Sequence, residues 1–215
     1  MLIRMPGMLR LSSALLAFLI CAGAGWAATG RTAAHTAATV DALVAAVVAG
    51  DDTRFRSIAE QLKSQPRPPR GERRLARDLN ERGLAQWQRQ RFGEAAVFFR
   101  QAREADASDA EIAENLGYAL LKSGQVAQAE PAILDALTLA PERASAWGTL
   151  GLIYAKQGKH REGVAAVLRA YRFTRDPKRT LDVYSRLAAT DDDPKVRAVL
   201  ADVVSRLSQQ DSKRS

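Results

Sequence analysis

The sequence contains little of the chemistry on which most enzymes and metal sites depend. Its 215 residues include one cysteine, Cys21, and two histidines, His35 and His160. A single cysteine excludes a disulfide framework and a cysteine cluster for zinc. The sequence also lacks a glycine-rich phosphate loop, a serine nucleophile elbow and zinc-ligand spacing. Composition therefore argues against an enzyme, and it predicts no cofactor.

Two features could still carry chemistry, and each has a simpler structural interpretation. His160 has no evident partner for acid–base catalysis, so we expect it to pack at the edge of a helical hairpin. The run 191–193 consists of three aspartates and could bind a cation. However, Asp193 followed by Pro194 is typical of a helix cap followed by a first-turn proline. We therefore predict no catalytic residue and no metal site.

Long apolar runs are scarce, and the one near the N-terminus spans residues 11–20. It is shorter than the about 20 residues that a transmembrane helix needs. Arg4 and Arg10 flank it on one side, and Gly25 and Ala27 follow it in small-x-small spacing. This layout is typical of a secretory signal peptide, and we expect cleavage after Ala27, with an uncleaved anchor as the alternative. The predicted location is periplasmic or secreted.

Charge is unbalanced towards the basic side. Of the 32 Lys and Arg residues two lie in the signal segment, so 30 remain against 24 Asp and Glu, a net charge of +6. Such an excess can serve nucleic acid, anionic lipid or an acidic protein surface. Export argues against nucleic acid. The densest cluster, between Arg67 and Arg77, is interrupted by prolines and lacks interleaved aromatics, so we interpret it as a solvated linker.

What the sequence does contain is a repeat of 34 residues in three copies. The second copy carries Ala113, Leu116, Gly117, Leu120, Gly124, Ala129, Ile133, Ala136 and Pro141. The third copy carries Trp147, Leu150, Gly151, Tyr154, Gly158, Gly163, Val167 and Ala170, and its proline is displaced to Pro177. The first and weaker copy carries Leu79, Arg82, Gly83, Gln86, Gln90, Ala95, Phe99 and Ala102.

Spacings of three and four within each copy predict two amphipathic helices. Gly124 and Gly158 would lie between the helices of a pair, where a positive φ ends the first helix. Gly151 and Gly163 would let the two helices of the third pair approach closely. Pro131 requires that its helix either starts late or bends. Because such a hairpin cannot bury its apolar face alone, the copies must stack.

The pattern resembles the tetratricopeptide repeat, and the signature is matched best by residues 147–170. The resemblance covers residues 76–177 and implies an all-α fold, a right-handed solenoid of stacked antiparallel helix pairs with flanking helical pairs. It also implies that the first helix of each pair lines a concave, protein-binding groove. The implied groove residues are Arg77, Asn80, Leu84, Trp87, Gln88, Glu111, Glu114, Tyr118, Leu121, Lys122, Leu152 and Lys156, together with Ser145, Gly148 and Ala155.

Trp87 and Tyr118 carry most weight in this set, because large aromatic side chains are favoured as binding anchors. Each could equally be buried under a neighbouring helix. We expect leucines of the set to complete an apolar floor, and acids and lysines to give its two ends opposite charge. The variant of this family that clamps C-terminal carboxylates uses Lys and Arg on its third inner helix. Ser145 and Thr149 stand there in this chain, so that clamp is absent.

These observations predict the following division of the chain. It comprises a signal peptide (1–27), a disordered leader (28–38), an N-terminal helical pair (39–65), a Pro/Arg linker (66–75), three repeats (76–109, 110–143 and 144–177), a C-terminal capping pair (178–208) and a disordered tail (209–215). In the first pair we expect Thr39 to cap a helix over 40–49 that stops at Gly50, and Asp52 to cap a second that runs to about Ser64. In the last pair we expect helices over 180–188 and 194–207.

The predicted function is that of a periplasmic adaptor or scaffold that holds a protein or peptide segment in its groove. The setting could be an envelope, pilus, secretion or polysaccharide-export assembly. The alternative is a self-associating structural scaffold with no groove ligand, which concentration-dependent size would reveal. We expect no nucleic-acid partner and no stable membrane anchor once the signal is removed.

Overall fold

The computed structural model describes residues 36–212. The chain divides into two compact units, Met1–Ala38 and Thr39–Ser215. Of the first unit only residues 36–38 are described. They are helical, so the predicted disordered leader is wrong at its last three positions. The predicted signal peptide, its cleavage site and His35 lie outside the described residues.

Helices make up all the regular structure in the described part of the chain, which confirms the predicted all-α fold class. Helix α1 is described over residues 36–49. The others are α2 (Asp52–Ser64), α3 (Arg73–Gln88), α4 (Phe92–Ala105), α5 (Ala110–Lys122), α6 (Val126–Leu139), α7 (Ala144–Lys156), α8 (His160–Phe173), α9 (Pro177–Thr190) and α10 (Pro194–Ser212). None of these helices is both long and apolar enough to cross a membrane.

The three repeats form the hairpins α3–α4, α5–α6 and α7–α8, and each hairpin packs on the next. Gly124 and Gly158 end the first helices with φ of 82° and 79°, as predicted. In the first repeat Gln90 takes this place with φ of 59°. The close approach predicted at Gly151 is also present, because a Cβ atom there would lie 2.4 Å from Val167 Cγ2.

Several predicted helix ends differ from the structure. Thr39 lies inside α1 and does not cap it. The cap of α2 is Asp51, whose carboxylate accepts a hydrogen bond of 2.9 Å from the Arg54 backbone N–H. Asp52, the predicted cap, instead accepts hydrogen bonds from two arginines of α8, Arg169 and Arg172. The linker is shorter than predicted, since α3 already begins at Arg73.

The structure decides between the two alternatives for Pro131 and extends the helices of the C-terminal pair. Helix α6 begins at Val126, so Pro131 lies within it and a late start is ruled out. Pro177 is the first residue of α9 and follows the cap Asp176. Residues 209–212 continue α10, so the predicted disordered tail is wrong there. Asp193 does cap α10, as its carboxylate accepts a 2.9 Å hydrogen bond from the Lys195 backbone N–H.

The N-terminal hairpin α1–α2 packs on the second helices of repeats two and three, and does not extend the stack ahead of α3. The Phe55 ring, 2% exposed, lies 6.1 Å from the Trp147 ring and 5.8 Å from the Phe173 ring. The Arg169 guanidinium lies 4.2 Å over Phe55 and donates a 2.6 Å hydrogen bond to Asp52. Residues 65–72, which form neither helix nor strand, connect α2 to α3.

The C-terminal pair reverses the order that a fourth repeat would have. Helix α10 packs on α7 and α8, where the first helix of another hairpin would lie. It shares an apolar cluster with Ala155, Val164 and Val167 of those helices. Helix α9 packs mainly on α10 and has no fully buried residue.

Candidate functional site

Helices α3 and α5 and the start of α4 bring three aromatic rings together. The Trp87 and Tyr118 ring centroids are 4.8 Å apart, and Phe92 lies 4.7 Å from Trp87. Trp87 and Tyr118 are both half-buried and pack against the main core. Burial raises the pKa of the Tyr118 hydroxyl, and the nearby Asp191 carboxylate raises it further. The pair therefore rests on the core on one side and remains accessible on the other.

The remaining predicted positions of α3 are largely open to solvent. Arg77 and Gln88 are exposed, and Leu84 is 38% exposed beside the aromatic pair. Asn80 accepts a 3.0 Å hydrogen bond from the Asn115 side-chain amide of α5, so this pair bridges the two helices. Asn115 and Phe92 were not among the predicted groove residues. Phe92 occupies the position in the first repeat that His160 occupies in the third. An aromatic residue at this position was the one sequence signal that could have identified Phe92.

Exposed apolar surface is concentrated in the first repeat. Within the described chain the large apolar side chains that are exposed are Leu75 (44%), Leu84 (38%) and Val97 (48%). All three lie on α3 or α4. The neighbouring repeats are covered by α1–α2 and by α9–α10, which explains why this end of the stack remains open.

The prediction that Leu121 of α5 contributes to the floor of the groove is wrong. Leu121 is 3% exposed and belongs to the main core. It lies one helical turn beyond Gly117, whose face of α5 packs on α6, and residues four apart share a face. Glu111 and Lys122 are exposed, and the Lys122 ammonium lies 5.8 Å over the Phe92 ring.

The predicted charge difference along the groove is weaker than the sequence suggests. Glu114 forms an ion pair with Arg143, at the loop before α7. The Lys156 ammonium lies 3.2 Å from the Asp193 carboxylate, in the loop after α9. These partners come from segments outside the groove helices, so the periodicity of those helices could not show them.

The C-terminal pair α9–α10 covers the groove positions of α7. Leu152 is half-buried against the cluster that α10 forms, and Ala155 is buried in it. Ser145 and Gly148 line a cavity whose other wall includes residues of α9. The open part of the groove is therefore the part between α3 and α5.

His160 forms a contact between the third repeat and the C-terminal pair. His160 lies at the start of α8, and its ring Nε2 is 3.2 Å from the Asp202 carboxylate of α10. In residues 36–212 no group of three or more His, Cys, Asp and Glu side chains is placed to hold a metal ion.

Comparison with known proteins gives the fold of the repeat region. The sequence model of the tetratricopeptide repeat family matches residues 114–179. No curated protein matches the sequence. The first tetratricopeptide-repeat domain of Spaghetti (RPAP3), solved with the HSP90 peptide SRMEEVD, is 16% identical with a TM-score of 0.50, over 57% of this chain and 97% of that one. The OM64 domain of Arabidopsis is 20% identical with a TM-score of 0.50, over 54% and 97%.

A third solved structure is that of the type III secretion chaperone SycD of Yersinia enterocolitica with a peptide of the translocator YopD. It is 14% identical over 57% of this chain and 90% of that one, with a TM-score of 0.48. Because their sequence identities are 16% and 20%, the first two structures show that the fold is shared and no more. Together with the family match and the 34-residue period, they lead to one conclusion. Residues 114–179 carry tetratricopeptide repeats, and the hairpins from α3 to α8 share the fold of a tetratricopeptide-repeat domain.

Proposed function

We propose that this protein is an adaptor or scaffold that holds a segment of another protein in the groove between its first helices. The observation that carries the proposal is the half-buried pair of Trp87 and Tyr118 beside the exposed Leu84. Rings already held by the core lose little conformational freedom on binding and offer a large apolar area, which favours them as interface anchors.

The surroundings of the aromatic pair fit an interface with an apolar centre and a polar rim. The exposed Lys122 lies 5.8 Å over the Phe92 ring, and Arg77 and Glu111 are exposed nearer the N-terminal ends of α3 and α5. The Spaghetti domain of the same fold holds a peptide, which supports a partner of peptide size here. The basic residues of the carboxylate clamp are absent, since Ser145 and Thr149 stand in their places. Thr149 is buried and donates a 3.0 Å hydrogen bond to the Ser145 carbonyl. The partner is therefore not recognised through a C-terminal carboxylate at that position.

The proposed setting is the periplasm or cell exterior, within an envelope, pilus, secretion or polysaccharide-export assembly. The support for this location is the layout of residues 4–27. Intact-mass measurement of the protein from a periplasmic extract tests it, with a mature chain beginning after Ala27 as the expected result. A protein that still begins at Met1 would contradict export with cleavage.

Capture and titration test the groove. In-cell crosslinking of the tagged chain, followed by mass spectrometry, identifies a partner, which is then titrated against folded variants. We expect Trp87→Ala and Tyr118→Ala each to weaken binding by about 2 kcal/mol or more, roughly 30-fold. Phe98→Ala, a half-buried aromatic on α4 outside the groove, is the matched control. If both groove variants keep their helicity and bind like the control, recognition lies elsewhere.

A further inference from the structure

Helix α9 packs mainly on α10, and it approaches the groove side of α7 near both of its ends. Near its start, Thr180 and Tyr184 line the same cavity as Ser145 and Gly148, the first two groove positions of α7. Burial raises the pKa of Tyr184 to about 12, as expected for a hydroxyl held between helices. Any segment that extended along the groove over α7 would meet α9 here.

The loop after α9 reaches the far end of the same surface. The Asp193 carboxylate is paired with the Lys156 ammonium at 3.2 Å, and Lys156 is the last groove position of α7. Asp191 lies near enough to the Tyr118 hydroxyl to act on it electrostatically. The Arg197 guanidinium holds the loop by donating a 2.6 Å hydrogen bond to the Asp191 carbonyl. Helix α9 and its loop therefore span the groove positions of α7 from first to last.

The attachment of α9 is weak compared with that of its neighbours. No residue of α9 is fully buried, whereas α10 places five apolar side chains in its cluster. The contacts of α9 come from side chains three and four apart that are only half-buried, namely Leu181, Tyr184, Leu187 and Ala188. Segments with few buried apolar contacts open at a smaller free-energy cost than the core.

We propose, on the basis of the proposed groove function, that α9 is a built-in occupant of the α7 half of the groove and that a binding partner displaces it. The sequence of α9 indicates what kind of segment the α7 half of the groove can bind. It is an amphipathic helix with an apolar stripe and with acidic residues just beyond its C-terminal end, where they meet Lys156. A partner first anchored at Trp87 and Tyr118 would extend along α7 in the place of α9.

The test measures whether a free copy of the segment can take this place. A fluorescein-labelled synthetic peptide of residues 177–193 is titrated by anisotropy against the full chain. The variant Leu181→Ser/Tyr184→Ser removes two apolar contacts of α9 and so weakens its attachment to the rest of the chain. In the matched control Lys178→Ser/Arg186→Ser only exposed side chains of α9 change. A tethered segment competes at an effective concentration in the millimolar range. We therefore expect the first variant to bind at least tenfold more tightly than wild type and control.

A second variant with a smaller change keeps the test valid if the double-serine variant does not fold. Lys156→Glu replaces the ion pair with Asp193 by a repulsion, and Lys122→Glu is its control on α5. Amide hydrogen exchange of the full chain should show segment 177–193 exchanging at least fivefold faster in Lys156→Glu, with α5 to α8 unchanged. Equal peptide affinity in folded wild type and weakened variant would overturn the proposal. So would exchange of 177–193 as slow as that of α7 and unaffected by Lys156→Glu.

The two proposals fail in different ways. If the peptide enters only the weakened variant while Trp87→Ala and Tyr118→Ala both leave partner binding unchanged, the groove function fails and α9 still stands as an occupant of the α7 half. If the peptide binds wild type and weakened variant alike while Trp87→Ala abolishes partner binding, the groove function stands and the occupant proposal fails.

Discussion

Replacement of Gly151 by leucine should destabilise the third repeat, where α7 and α8 come closest. A Cβ atom at position 151 would lie 2.4 Å from Val167 Cγ2, 3.1 Å from the Val167 nitrogen and 3.0 Å from the Gly163 carbonyl oxygen. The valine methyl can rotate away. The nitrogen and the carbonyl belong to the backbone of α8, so the two helices must separate to admit any side chain.

The expected loss combines two opposing effects. Overpacking a close contact costs about 1 to 3 kcal/mol, and occasionally more. Leucine recovers part of this, because glycine is about 1 kcal/mol less favourable than good helix formers inside a helix. Since leucine extends well beyond Cβ, the gross cost lies at or above the upper end of that range. We expect a net loss of about 2 to 3 kcal/mol, which for a chain of this size lowers the melting temperature by about 4 to 12 °C.

Urea and thermal denaturation followed by far-ultraviolet circular dichroism measure the effect. Gly93→Ala is the control, because a Cβ atom at this position in α4 would meet nothing within 4 Å. Its stability should equal or exceed that of wild type. A Gly151→Leu protein with the same denaturation midpoint as wild type would show that α7 and α8 do not approach as closely as the structure indicates.

Three further substitutions test other parts of the structure. Phe55→Ala should lower the free energy of unfolding by about 3 to 5 kcal/mol in urea denaturation, and an unchanged value would contradict the docking of α2 on the repeats. Gln90→Gly should raise it by about 0.5 to 1 kcal/mol, because a positive φ strains any residue with a Cβ atom; a decrease would contradict this. Arg169 and Arg172 hold the pKa of the Asp52 carboxyl below its usual value. Their ion pairs therefore stabilise the fold above the ordinary carboxyl pKa, and this contribution is lost as the pH falls through the lowered value. Stability measured between about pH 5 and pH 2 should fall more steeply in wild type than in Asp52→Asn, and parallel curves would contradict the assignment.

Prediction from sequence succeeded within the repeats and was incomplete at the candidate site. The spacing of Gly124 and Gly158 located the turns, and Trp87 and Tyr118 were placed on adjacent first helices, where the structure brings their rings together. Whether each ring was buried could not be decided, because burial depends on which neighbouring helix covers it. Leu121 was misassigned for the same reason.

The sequence by itself determined the helices, their pairing and their stacking order from α3 to α8. Apolar spacing within a helix and close contacts between successive hairpins are local, and a 34-residue period repeats them. Only the tertiary structure decided where the flanking pairs lie. The apolar stripes of α1–α2 and of α9 show that each needs a covering surface, but several surfaces of a solenoid meet that need. The choice was made by long-range contacts, between Phe55 and Trp147 for α2 and between Asp193 and Lys156 after α9.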